Sequence, residues 1–261
     1  MNAVNKTLYI PLYGKAYVSE KGLFLRDDMA EHIWAAQRFT LKGKAKSKWL
    51  AYYMGMRAAV FDEWVRNKMS EFPEAAIVHV GCGLDSRVLR VGTNGHDWYD
   101  VDFAEVIAER RHYFEETADY HMIGADLREH QWLDAIHNTR CAIVVMEGVS
   151  MYVTNEELRT FMEQLREHFE EVVLLMDCYT ELAVRMSSYK NPVRDVGVEQ
   201  LYSVDEPRML QSREWSFVQE HAMTPEYFIH ELRRIERYVF QRMYAGRLVR
   251  KLYRLFEYKK K

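Results

Sequence analysis

The stretch "IVHVGCGLDSR", Ile77 to Arg87, decides the fold: an apolar run breaks into two glycines and then a carboxylate. Ile77, Val78 and Val80 suit a buried strand. Gly81 and Gly83 have no Cβ, so the chain can turn sharply there and let a ligand approach the backbone. In an open parallel sheet, ligands bind at the carboxyl ends of the strands, which is where this turn falls.

The strands that follow repeat the pattern. The second ends in "YDVDF", with Asp102 nineteen positions beyond Gly83, the spacing of a carboxylate that accepts both hydroxyls of a ribose. Asp100 is a rival on the same face, and Asp102 is preferred because it lies nearer the strand's end. "GADL" supplies Asp126 and Leu127, an acceptor for an adenine amino group and an apolar contact for the base. "VVMEGVSMY" places Glu147 at the tip of the fourth strand. A dinucleotide fingerprint needs a third glycine, but Ser86 stands in its place and Asp85 adds negative charge where a diphosphate would lie. S-adenosylmethionine has a ribose, an amino group and a sulfonium but no phosphate, and it suits the turn.

The wider pattern agrees. "AAIVHV" (75–80), "HDWYDV" (96–101), "YHMIGA" (120–125), "CAIVVME" (141–147) and "EVVLLMDC" (171–178) read as strands that alternate with helical segments. Such alternation predicts an α/β fold with a doubly wound, mostly parallel sheet. Residues 1–72 read as a helical extension capping the 73–261 domain, with helices over Asp27–Phe39 and from Ser47 onward. A poorly patterned insertion at about 187–213 is expected to form a lid. "REWSFVQEHAM" (213–223) and "ERYVFQRMY" (236–244) read as the sixth and seventh strands, with a helix from Thr224 between them, and the terminal "EYKKK" reads as a solvated tail.

Of the 261 residues, 48% are hydrophobic and 29% charged, and the net charge is -3, which offers nothing to a nucleic-acid backbone. Three cysteines without CxxC spacing suit a reducing cytoplasm and supply no metal site. No signal-peptide pattern and no membrane-spanning run is read.

The run "VHVGCGLDSR … YDVDFAEVI … GADLRE … WLDAI … MEGVSMYVTNEELRTFM", with "YGKAYVSEKGLFLRDDMAEHI" and "MRAAVFDEWV" upstream, resembles the leucine carboxyl methyltransferase family, and its bacterial branch most closely. The resemblance covers Tyr13 to Asp177 and implies a class I, Rossmann-like methyltransferase dependent on S-adenosylmethionine. It implies that Lys15 and Arg57 reach the carboxylate end of the methionine moiety. It assigns the turn to Gly81, Cys82 and Gly83, the ribose to Asp102 and the adenine to Asp126 and Leu127. Glu147 and Tyr152 fall on the family's E-G-V-x-x-Y motif.

The expected reaction is O-methylation of a carboxylate or hydroxyl on a small, aromatic or polyketide-like acceptor. The alternatives are methylation of a protein's C-terminal carboxyl and a protein that binds S-adenosylmethionine without transfer. A carboxylate acceptor needs a cation, for which Arg87 is the candidate. A phenol needs a base, for which His121, His221 and His230 are available.

Overall fold

The computed structural model describes residues 7–37, 40–41, 43–137, 139–187 and 200–261. Three helices precede the sheet: α1 (Tyr9–Glu20), α2 (Asp28–Ala36) and α3 (Lys48–Glu71). Asp27 caps α2 by accepting from the Ala30 amide at 2.8 Å, and Ser47 caps α3 through Trp49. α1 packs closely on α3 because two glycines face the contact. A Cβ on Gly14 would lie 2.7 Å from Met54 Cβ, and one on Gly55 would lie 2.6 Å from Val18.

The sheet is built from β1 (Ala76–Val80), β2 (Trp98–Asp102), β3 (Tyr120–Gly124), β4 (Cys141–Met146) and β5 (Glu171–Tyr179), then β6 (Trp215–His221) and β7 (Tyr253–Lys260). Its order is β3-β2-β1-β4-β5-β7-β6. β1 to β5 pair in parallel, and β7 runs antiparallel between β5 and β6. Strand order therefore reverses between β1 and β4, and that switch point is where the glycine turn opens. Connecting helices are α4 (Arg87–Val91), α5 (Ala104–Arg110), α6 (Asn155–His168) and α7 (Glu181–Ser187). α8 (Glu226–Glu231), α9 (Arg234–Met243) and α10 (Arg247–Arg250) follow β6.

Alternation along the strands divides the core. Ile77, Val145, Leu175 and Leu255 pack against α1 and α3, whereas Val78, Val144, Leu174 and Phe256 pack against α6 through Phe161 and Leu165. Both faces are covered, which explains strands apolar at nearly every position. The polar side chains buried in the sheet, His79, Asp100, Asp177 and Glu257, all lie on the α1–α3 face.

The C-terminal third differs from the sequence reading. The segment 236–244, expected as the seventh strand, is helical and belongs to α9. Tyr, Val and Phe raise its β-propensity, but Glu236, Phe240 and Tyr244 recur at four-residue spacing and meet α3 together. Glu236 pairs with Lys48 at 2.7 Å, and Phe240 and Tyr244 lie 6.3 and 6.1 Å from Tyr52 and Trp49. Tertiary packing overrode local preference. The seventh strand is instead the basic terminus. Leu255, Phe256 and Tyr258 are wholly buried there, and Lys260 donates to the Arg166 and Phe169 carbonyls at 3.0 and 2.6 Å, satisfying the end of α6. "EYKKK" is therefore not a solvated tail. Residues 188–199 of the expected 187–213 insertion lie outside the described residues. The part after them runs beside the sheet, with the Val204 amide donating to the Tyr179 carbonyl at 2.8 Å.

Because β7 bonds to two strands at once, deleting residues 253–261 is expected to abolish cooperative thermal unfolding. Deleting Lys261 alone should leave Tm within about 2 °C, the size of shift expected for a change well under 1 kcal/mol. Calorimetry of the two truncations checks this, and equal melting would restore the tail reading.

Candidate functional site

A cavity opens at the carboxyl end of the sheet, between the switch point and α1. Its floor is the glycine turn. Gly81 and Gly83 adopt φ of 67° and 52°, the left-handed region that favours glycine. At Gly81 the restriction is also steric, because a Cβ would sit 2.1 Å from Val149 Cγ2 on the loop after β4. The Gly83 amide donates to Asp102 Oδ2 at 2.8 Å and the Phe103 amide donates to Oδ1 at 2.7 Å, so the backbone aims the carboxylate. Burial raises Asp102 to about 6, and these two donors only partly offset it.

Asp100 lies deeper. Arg110, His79 and Trp98 bond to it, and Tyr120 donates to it at 2.8 Å; burial alone would raise its pKa, but these partners hold it at about 2. Asp102 lines the cavity and Asp100 does not.

Around the turn lies a network of buried charges. Lys15 pairs with Asp85 at 2.9 Å, and Arg57 pairs with Glu147 at 2.9 Å and Asp177 at 2.8 Å. Arg90 joins Asp62, Asp27 and Asp85 at 2.6, 2.6 and 2.7 Å. Burial opposes the charge on Glu147, but Arg57 and Arg87 hold its pKa at about 2. Asp85, the acid that counted against a diphosphate, is likewise buried, and Arg90 and Lys15 hold it well below the usual carboxylate range. Asp177 goes the other way: burial raises it despite Arg57 and a hydrogen bond from Tyr253. The buried Nε of Arg57 has no partner among the described residues.

The structure brings together Lys15, Arg57, Gly81, Cys82, Gly83, Asp102, Leu127, Glu147 and Tyr152, all of which line the cavity. Two expected residues do not line it. Arg87, the candidate for holding an acceptor carboxylate, is wholly buried. Its guanidinium bonds Asp62 at 2.8 Å, His79 at 2.9 Å and Glu147, so it supports Glu147 from beneath. It starts α4 rather than extending the turn, which carries its side chain under α3. Asp126 is turned to Arg128, whose amide donates to it at 3.0 Å and whose Nε donates at 2.9 Å, while the neighbouring Leu127 faces the cavity with Phe103 and Val106.

None of the three candidate histidines reaches this cavity. His121 stacks on Tyr99 at 4.9 Å, His221 bonds Glu257 at 2.6 Å, and His230 is exposed on α8. The one histidine that does line it, His79, is neutralised by burial and spends both ring nitrogens, on Asp100 at 3.1 Å and on Arg87.

The opposite wall was legible only in part. Met54 and Tyr253 fall in the Tyr- and Met-rich segments 49–56 and 242–256, which suit a core, a lid or an apolar acceptor pocket, whereas the rest did not stand out. Leu8, Ile10, Pro11 and Leu12 of α1 and its lead-in, Met54 of α3, and Tyr179 and Tyr253 complete the cavity. The Tyr253 hydroxyl accepts from Arg57 at 2.5 Å and donates to Asp177. Asp177 carried a signal that was available: a lone acid inside "EVVLLMDC" must find a buried cation. Tyr253 lies in the second of those aromatic segments, "RMYAGRLVRKLYRLF" (242–256), but the strand that carries it was not visible.

The model of the leucine carboxyl methyltransferase family matches residues 8–166, more than half of the chain. The tetracenomycin polyketide synthesis O-methyltransferase TcmP of Streptomyces glaucescens is 29% identical over 205 residues, 77% of this chain and 76% of that protein. The S-adenosyl-L-methionine-dependent methyltransferase dpfgK of Gibberella zeae is 25% identical over 81% of this chain and 79% of its own length. Among solved structures, magnesium protoporphyrin IX methyltransferase from Synechocystis with bound S-adenosylhomocysteine superposes with a TM-score of 0.52, at 12% identity over 90% of this chain and 93% of that one. That likeness shows a class I methyltransferase fold. The chain belongs to the leucine carboxyl methyltransferase family and is an S-adenosylmethionine-dependent methyltransferase.

Proposed function

We propose that this chain methylates the carboxylate of a small, largely apolar aromatic acid. The observation that carries the reading is the make-up of the cavity wall. Among the described residues, the lining offers a phenol no base of its own: His79, Asp85 and Glu147 are held by protein partners, and Asp102, the open carboxylate, is assigned to the ribose. The wall of α1, Met54 and three tyrosines, by contrast, is broad and apolar. A carboxylate is already ionised near neutrality and needs no base; a phenol does. The O-methyltransferase relative from polyketide synthesis supports an aromatic acceptor.

The residues present fit the cofactor. S-adenosylmethionine supplies an electrophilic methyl group on a sulfonium. Asp102 turns its aimed carboxylate to the ribose hydroxyls, and Leu127, Phe103 and Val106 form an apolar slot for the adenine. Lys15 and Arg57, which line the cavity beside the turn, would meet the methionine carboxylate, and Glu147 would receive its amino group. Asp126 joins the adenine only if it leaves Arg128. Tyr152 holds the acceptor by its ring and its hydroxyl donor and Tyr253 by its ring alone, since the Tyr253 proton goes to Asp177; burial keeps both phenols protonated through the neutral range. The chain's contribution is orientation and exclusion of water, which together supply several kcal/mol.

No helix among the described residues is long and apolar enough to cross a membrane. Free, mostly buried thiols at Cys82, Cys141 and Cys178 support a cytoplasmic setting.

Three outcomes test the reading. Asp102→Asn should weaken S-adenosylmethionine binding at least about 10-fold by calorimetry, the loss expected when a charge-assisted pair of hydrogen bonds is removed. Because Asp102 is raised to about 6, the wild-type carboxylate is ionised above that pH and protonated below it. Wild-type affinity should then be flat above pH 7 and fall as pH drops through 6, while the Asn variant shows no such step. Incubated with labelled methyl donor, aromatic carboxylic acids should yield methyl esters and the matching phenols should yield nothing. Ether formation at comparable rates would refute the carboxylate reading.

A further inference from the structure

A second cavity lies beside the first, lined by Tyr53, His221, Ala222, Thr224, Tyr244 and Val249 among others, and Tyr253 is the one residue common to both linings. The Tyr253 ring stands between them. On one side Tyr179, a first-cavity residue, meets it edge-on at 4.7 Å; on the other Tyr53, a second-cavity residue, stacks at 6.3 Å. The ring is held in place by the bonds of its hydroxyl to Arg57 and Asp177.

The second cavity also carries a built polar anchor. His221 Nε2 lies 2.6 Å from Oε2 of Glu257, which is buried and also paired with Lys68 at 3.0 Å and Gln219 at 3.1 Å. Burial would raise the Glu257 carboxyl, but these three partners hold it at about 2. An ionised carboxylate only accepts, so Nε2 carries the proton. Nδ1 is then the ring nitrogen left without a partner among the described residues, and Glu257 fixes the ring's orientation. Glu257 stands behind the lining, and the acid of the lining itself, Glu220, is taken up by Arg254 at 2.6 Å.

We propose that the second cavity is the distal acceptor subsite: the acceptor's body passes along the Tyr253 ring, and a hydroxyl at its far end hydrogen-bonds Nδ1 of His221. This rests on the aromatic-acid reading above and narrows it to an elongated, two-ring acid carrying a hydroxyl remote from the carboxyl group. His221 thereby acts in specificity and takes no part in proton abstraction at the reacting oxygen. Tyr253 sets where the reacting half of the acceptor ends.

The probes are biphenyl-4-carboxylic acid and its 4′-hydroxy derivative, with benzoic acid as the short control. Binding to the protein saturated with S-adenosylhomocysteine is measured by calorimetry, and turnover separately with S-adenosylmethionine. The hydroxylated acid should bind wild type at least about 5-fold tighter than its parent, the gain of one buried hydrogen bond. His221→Phe should abolish that preference. Ala222→Trp, at an exposed position that tolerates bulk, should weaken both biphenyl acids about 10-fold or more while benzoate and the cofactor product bind as before. Equal affinities for the two biphenyl acids in wild type, or no effect of Ala222→Trp on either, overturns the subsite. Binding as described without ester formation leaves the subsite standing and removes the carboxylate reaction instead.

Discussion

Beneath the carboxyl end of the sheet, Lys15, Arg57, Arg87 and Arg90 stand against Asp27, Asp62, Asp85, Glu147 and Asp177, all of them buried. This alternation of charge is the constraint on which the site depends. Burying such groups costs several kcal/mol each, and the cost is recovered only when each charge meets its partners in good geometry. The helices before the sheet supply Lys15, Asp27, Arg57 and Asp62, the segment from the glycine turn into α4 supplies Asp85, Arg87 and Arg90, and β4 and β5 supply the remaining two acids. Helical cap and sheet are therefore locked into one arrangement by electrostatics as well as by packing. Removing one member would strand a buried charge, a loss of about 3–5 kcal/mol, and would be felt at Glu147 and the glycine turn together.

The network also sorts what can meet a ligand from what cannot. Arg87 and Asp100 are saturated by protein partners and act as supports. Asp102 is different because only backbone amides hold it, which leaves its outer lone pairs for hydroxyls. Arg57 is divided, with its terminal nitrogens committed to Glu147, Asp177 and Tyr253 and its Nε uncommitted. A site with fixed donors, whose open carboxylate would be taken by ribose hydroxyls, is preorganised for a reaction whose nucleophile arrives ionised. Tyr253 ties this charged end to the aromatic wall.

How much of this was legible varied along the chain. Six strands, the sixth being Trp215–His221, and the two capped helices were visible because apolar periodicity and N-caps are local signals; Ser47 and Asp27 perform in space what their position suggests. The exchange of strand and helix in the last 30 residues was not visible. "ERYVFQRMY" and "YRLFEYKK" are similar in aromatic and basic content, and what separates them is the partner each meets: α3 for the first, β5 and β6 for the second. Arg87 was misplaced for a related reason, since proximity to the glycines in sequence says nothing about which side of the turn a long side chain takes.

The sequence by itself determined the parallel sheet, its switch point and the row of glycines and acids along one edge. Those follow from hydrophobic period and from residue types that only certain backbone positions accept. The tertiary structure alone decided which acids and cations are spent on one another and which face the cavity. It also decided that the last strand, beginning 74 positions after Tyr179 ends its neighbour β5, brings Tyr253 to the site. Pairing of buried charges and closure of a wall depend on contacts between segments far apart in the chain, and no local pattern records them.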